Sequence, residues 1–141
     1  MTVSIIQDGV GFGLRGNDND AGEFIFASFP YNASSVDAAF FTAPRQLRVE
    51  DIRCFVTVAG TDGGAVTAVI RKVPSGTALA SGTALHSGTF NLKGTAVTQQ
   101  QLTLSTTASD LLLNAGDSLA VDFTGVLTSA TGNVTVGLNP V

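Results

Sequence analysis

Apolar and polar positions alternate most clearly between Val49 and Lys72. Ile52, Cys54, Val56 and Val58 are interleaved with Arg53, Phe55 and Thr57, and further on Val66, Ala68 and Ile70 with Thr67, Val69 and Arg71. A period of two gathers every second side chain on one face of an extended chain, so both stretches predict β-strands with one buried face. Between them Ala59-Gly60-Thr61-Asp62-Gly63-Gly64 supplies glycines for positive φ and an aspartate able to bond its own turn. The expectation is a hairpin with a medium-length loop. Just upstream, Leu47 and Val49 set the inward phase on odd positions, whereas from Ile52 it is even. That change of phase across Glu50-Asp51 predicts a bulge or a bend.

The same pattern recurs along the chain. In Glu23 to Phe29, Phe24, Phe26 and Ser28 share one face, with Ile25, Ala27 and Phe29 on the other. A strand apolar on both sides belongs inside a sandwich or at a subunit contact, and Pro30 is expected to end it. Val36 to Thr42 predicts a second strand, with Phe40 and Phe41 on opposite faces and a stop at Pro44. Pro74 to His86 is rich in turn residues and predicts a long surface loop. Short strands are expected at Phe90–Leu92 and Thr98–Leu104, and Ala108 to Leu111 fits a single helical turn. After a turn at Leu113–Asp117, Ser118 to Thr124 turns Leu119, Val121 and Phe123 inward, and beyond Gly132 the final inward set is Val134, Val136 and Leu138. Short strands about every ten residues, parted by turn clusters, predict an all-β fold: an antiparallel β-sandwich or barrel. With no helical stretch available for a βαβ unit, Rossmann and TIM architectures are excluded.

The first residues read differently. Val3-Ser4-Ile5-Ile6 is followed by Gly9, Gly11, Gly13 and Gly16 and by Asn17-Asp18-Asn19-Asp20. Glycine at this density disfavours regular structure, which predicts an extended N-terminal arm over 1–21 and a β-sandwich domain over 22–141.

Composition adds a partner to this picture. Of 141 residues, 44% are hydrophobic and 13% charged, roughly half the usual charged share of about 25%. One small domain has difficulty hiding that much apolar surface, so part of it is expected to lie between chains. Seven basic against eleven acidic residues, a net charge of −4, argue against nucleic acid as a partner. No apolar run reaches the length needed to cross a bilayer, and the first residues do not read as a secretion signal, so no membrane partner is expected. The one cysteine, Cys54, falls on an inward face, where a small buried core residue is expected rather than a reactive thiol.

The candidate chemical motifs are incomplete. Gly11-Phe12-Gly13-Leu14-Arg15-Gly16 matches the dinucleotide pattern by letter, but lacks the helix whose N-terminus would receive the pyrophosphate. Asn17 to Asp20 offers oxygen ligands without the distal bidentate glutamate of a calcium loop. His86, the single histidine, has no adjacent Cys or acidic cluster for a metal cage or triad. Asp110, Asp117 and Asp122 could serve as a glycosidase pair only if folding brought two of them together. The expectation is a non-enzymatic protein with no cofactor and no metal.

Several runs resemble a known class. These are Phe40-Phe41-Thr42-Ala43-Pro44, Ala59 to Thr67, Pro74-Ser75-Gly76-Thr77-Ala78, Gly88 to Ala96 and Ala115 to Gly125. Together they resemble small structural proteins of tailed bacteriophages, nearest to capsid decoration (cement) proteins of jelly-roll type, over Phe40 to Pro140. The resemblance implies a jelly-roll subunit, often a homotrimer, bound outside the capsid at capsomer junctions and reinforcing the shell. Its partners would be itself and the phage major capsid protein, and it would reside on the virion surface after synthesis in the host bacterial cytoplasm. No catalytic residue is carried over. On this reading Phe24, Ile25, Phe26 and Phe29 are the candidates for subunit contact, and Ile5, Ile6, Phe12 and Leu14 for capsid contact. An alternative is a tail or fibre module that binds a host receptor or glycan through the Pro74–His86 loop. A small hydrolase would require the aspartates to converge.

Overall fold

A computed structural model describes residues 24–141 and builds ten strands from the alternating stretches. They are β1 (Ile25–Tyr31), β2 (Ala38–Thr42), β3 (Leu47–Val58), β4 (Thr67–Val73), β5 (Thr83–Ala84), β6 (Phe90–Asn91), β7 (Thr98–Gln101), β8 (Leu112–Leu113), β9 (Ser118–Thr124) and β10 (Thr131–Pro140). No α-helix forms among the described residues; two 3₁₀ turns, Leu79–Ser81 and Ala108–Leu111, are the helical content, the second where the sequence predicts it.

The strands make two antiparallel sheets, ordered β1-β10-β3-β7 with β8 also on β3, and β2-β9-β4-β5 with β6 also on β4. β5 and β6 are two pieces of one interrupted edge strand along β4, and β7 and β8 two pieces of another along β3. Counted so, the pairing is nested: β4 with β5/β6, β3 with β7/β8, β2 with β9, β1 with β10. A long antiparallel ribbon rolled into two facing sheets is the jelly roll.

The phase of each strand decides what enters the core. Leu47, Val49, Ile52, Cys54 and Val56 of β3 are all fully buried, with Val134, Val136 and Leu138 of β10 beside them. Ala68 and Ile70 of β4 and Leu119 and Val121 of β9 line the opposing sheet. The predicted change of phase is a bulge: Val49 faces Leu138 and Asp51 faces Gly137, leaving Glu50 without a partner.

Four expectations are corrected. β3 and β4 are not a hairpin, because β3 pairs with β10 and β7 while β4 pairs with β9, β5 and β6 in the other sheet. Their inward faces oppose one another across the core, and the loop between them crosses from sheet to sheet. That loop is held where it crosses: Asp62 accepts the Gly64 amide, and Lys93 Nζ donates to the carbonyls of Asp62 and Gly64 at 2.6 and 2.9 Å. Pro30 does not end β1, which runs on to Tyr31. β1 pairs on one side only, so a residue without an N–H is tolerated on it. Phe40 and Phe41 do not point to opposite faces; a register shift between Ala39 and Phe41 leaves both packed against the core. Finally, the segment Pro74–His86 is not all surface loop, since it contains β5 and ends on buried Leu85 and His86.

The two flanks of the sandwich differ. On one, Ser87 N–H donates to the Thr103 carbonyl and Ser105 N–H to the Leu85 carbonyl, both at 2.9 Å, tying the edge of one sheet to the chain just beyond β7 in the other. On the other flank lie the edge strands β1 and β2, each paired on one side alone.

Candidate functional site

The β1/β2 flank is built entirely from uncharged residues, Ile25-Phe-Ala-Ser-Phe-Pro-Tyr31 and Ala38-Ala-Phe-Phe-Thr42. Edge strands offer unpaired backbone groups to any extended segment, and natural sheets commonly blunt them with lysine, proline, bulges or a covering element. Here Pro30 and the bulge at Phe40 are present and charge is not.

Alternation on β1 sorts its aromatic residues. Phe29 turns inward, its ring centroid 5.6 Å from Phe40 and 6.2 Å from Phe123, and Tyr31 meets Phe123 edge-on at 6.1 Å. These rings close the gap between the sheets. Ile25 is half-buried against the same core. Phe24 and Phe26 turn outward, 50% and 69% exposed, and stack on each other with centroids 6.0 Å apart. Of the four residues expected at a subunit contact, two are thus free to meet another molecule and two also serve the core. The candidates for capsid contact, Ile5, Ile6, Phe12 and Leu14, lie outside the described residues, as do the Gly11–Gly16 motif and the Asn17–Asp20 cluster.

Further apolar surface lies where β1 turns into β2. Val36 and Val126 are 71% and 60% exposed, and with Phe123 and Leu127 they border an open hollow of about 520 Å³. Asp37 accepts the Phe123 amide at 2.8 Å and fixes that turn. The sequence carries no periodic signal for Val126, which sits in the turn after β9. Only the fold brings it to Val36.

Groups with chemical potential are dispersed. Asp110 accepts the Ser105 hydroxyl, Asp117 accepts the Asn114 amide as a turn residue, and Asp122 pairs with Arg71 at 2.7 Å. The three aspartates serve separate partners, so no carboxylate pair forms from them. His86 is 5% exposed; its Nε2 accepts the Ile70 amide at 3.0 Å and its Nδ1 faces the Ser87 carbonyl at 3.4 Å. Neither ring nitrogen meets a serine hydroxyl, and burial lowers the pKa of the ring. Cys54 is fully buried with its thiol pushed up to about 11 by desolvation, and Tyr31 beside it is raised for the same reason. Among the described residues no cluster of three or more His, Cys, Asp or Glu could hold a metal ion, and no helix is long and apolar enough to cross a membrane.

No family model matches the chain, and no curated protein matches it. Solved structures do match. The same fold occurs in a virus capsid. A chain of the cyanophage Pam1 capsid asymmetric unit superimposes with a TM-score of 0.55 at 14% identity, over 91% of this chain and 93% of that one. A chain of infectious bursal disease virus strain Gx also matches, with a TM-score of 0.33 at 14% identity, covering 88% of this chain and 36% of that one. At such identity the likeness is one of fold. With the Pam1 chain it extends nearly end to end on both sides.

Proposed function

We propose that this chain is a non-enzymatic structural protein of a phage virion, a decoration subunit that binds the outside of the capsid as a homotrimer and stabilises the shell. The observation that carries the reading is the end-to-end fold match with a chain of a cyanophage capsid asymmetric unit. An uncharged sheet flank bearing two stacked, exposed phenylalanines agrees with it, because such a flank is costly to leave in water. Phe24 and Phe26 make the contact between subunits, with Ile25 and Phe29 beneath them. The arm over 1–21, through Ile5, Ile6, Phe12 and Leu14, makes the contact with the major capsid protein. Binding several capsid chains at once converts weak single contacts into firm retention.

The test is the particle itself. Virions purified by density banding should contain this chain in many copies, and a cryo-EM map should place the sandwich in repeated density on the outer shell. A chain missing from the particle overturns the virion reading. A few copies confined to the tail would overturn the decoration reading in favour of a receptor- or glycan-binding module. Removal of 1–16 should abolish co-sedimentation with capsids and leave the trimer intact, and unchanged binding would move the docking surface elsewhere.

A further inference from the structure

We propose that His86 is a proton-sensitive latch that fastens the β5/β6 edge to β4 and, through that edge, ties the two sheets together on this flank. The inference is independent of any role on a virion.

The interrupted strand explains why a side chain is needed here. β5 pairs Ala84 with Arg71, and β6 pairs Phe90 with Ala68. Between those pairs Val69 and Ile70 face the longer segment Leu85 to Thr89, which bends away to bond with Thr103 and Ser105. Leu85 N–H still reaches the Ile70 carbonyl at 3.0 Å, and on the same side of β4 the Ile70 amide goes to a side chain, His86 Nε2, at 3.0 Å. An imidazole thus completes the β4 ladder where the edge strand is broken.

That bond works in one protonation state. To accept from an amide, Nε2 must keep its lone pair, which places the ring proton on Nδ1, facing the Ser87 carbonyl. Adding a second proton would set an N–H against the Ile70 N–H in a site 5% exposed, where an unmade hydrogen bond is expensive. Burial disfavours the cation more than the Ser87 and Gly88 backbone favours it. On β4, Arg71 opposes it electrostatically, with its own charge held by Asp122 of β9, and Lys72 is engaged by the Ser109 and Leu112 carbonyls. β6 contributes the Phe90 ring at 5.1 Å, and the facing segment contributes Leu104 and Ser105, the latter bonded to Asp110. An open hollow of about 260 Å³ beside the ring, bordered by Ser87, Thr103 and Ser105, gives water a route to it.

Burial lowers the folded-state pKa, so the latch is closed above the ordinary histidine value of about 6.5 and is lost as pH falls from there through the folded-state value. The experiment follows amide exchange by NMR on the full chain between pH 7.5 and 5. Protection at Ile70, Leu85, Ser87 and Ser105 should fall by about tenfold per pH unit below 6.5 until the folded-state pKa is passed. In His86→Gln, whose side-chain carbonyl can accept the same amide without titrating, the four amides should lose their pH dependence. Equal pH dependence in that variant, or pH-independent protection in the parent, overturns the latch. Ring ¹⁵N shifts of the parent supply a check that needs no variant. At pH 7.5 they should report the proton on Nδ1, and a proton on Nε2 would refute the proposal.

Discussion

The Tyr31 hydroxyl lies 3.9 Å from Cys54 Sγ, a single polar contact set into a hydrocarbon core. Tyr31 of β1 and Val56 of β3 flank Gly132 of β10, and only glycine fits in that row. A Cβ at 132 would run into the Phe55 carbonyl and the Tyr31 hydroxyl. The one tyrosine of the chain is therefore a packing residue whose place is kept open by a glycine on the strand between it and β3.

Gly132→Ala should destabilise the fold by about 2–3 kcal/mol, since one obstacle is backbone and cannot swing aside. Tyr31→Phe removes the hydroxyl, and with it at most one weak bond at a cost of about 0.5–1.5 kcal/mol, but leaves the ring carbon Cζ 2.7 Å from that Cβ. Urea titration of both variants and of the double variant checks this. The double variant should recover only part of the loss, because the Phe55 carbonyl and the ring carbon of residue 31 remain in the way.

Cys54 should be unreactive toward Ellman's reagent at pH 8 in the native protein and react at once when unfolded. Its thiol is fully buried and its pKa is pushed up to about 11. An acid whose folded-state pKa is raised contributes stability that is present below the ordinary thiol value of about 8.5 and lost as pH rises toward 11. Melting temperature should fall over that window, and Cys54→Ala should remove part of the fall. The remainder belongs to Tyr31, which shifts in the same sense.

Val56→Asp should abolish soluble folded protein. It places a carboxylate at a position with no exposure, a cost of several kcal/mol against a marginal total. Thr57→Asp, on the exposed face of the same strand, should change stability by no more than about 0.5 kcal/mol. Circular dichroism melts of the pair test whether the phase of β3 is as described.

Phe24→Ser with Phe26→Ser should leave the melting temperature within a few degrees, because both rings stand outside the core. Light scattering after size exclusion should show the mass drop from about three times 14.4 kDa to 14.4 kDa. A parent that is already monomeric at micromolar concentration contradicts the proposed trimer.

Much of the fold was legible in the chain because burial has a local signature. The inward set of β3 as far as Val56, its bulge at Glu50, the extent of β9 and the turn at Ala108–Leu111 can each be read from a few neighbouring residues, whereas Val58, expected inward, is 46% exposed at the strand's end. Phe40 and Phe41 show where that reasoning stops. One extra residue in β2 rotates the remainder of the strand and turns both rings toward the core, and nothing in Ala-Ala-Phe-Phe-Thr announces it. The candidate site was half legible: the two-faced aromatic pattern singled out β1, but the division between the exposed pair and the inward pair needed the opposing sheet.

By itself the sequence determined the all-β class and the buried face of β3 as far as Val56 and of β9 and β10. Those properties depend on spacing along the chain. Tertiary structure alone decided that β3 and β4 face each other across the core instead of pairing, that Val126 and Val36 border one hollow, and that a lone histidine accepts the Ile70 amide. Periodicity of two records that one face is covered, not which strand or sheet covers it, and hydrogen bonds between residues far apart in sequence leave no mark in either partner's neighbourhood.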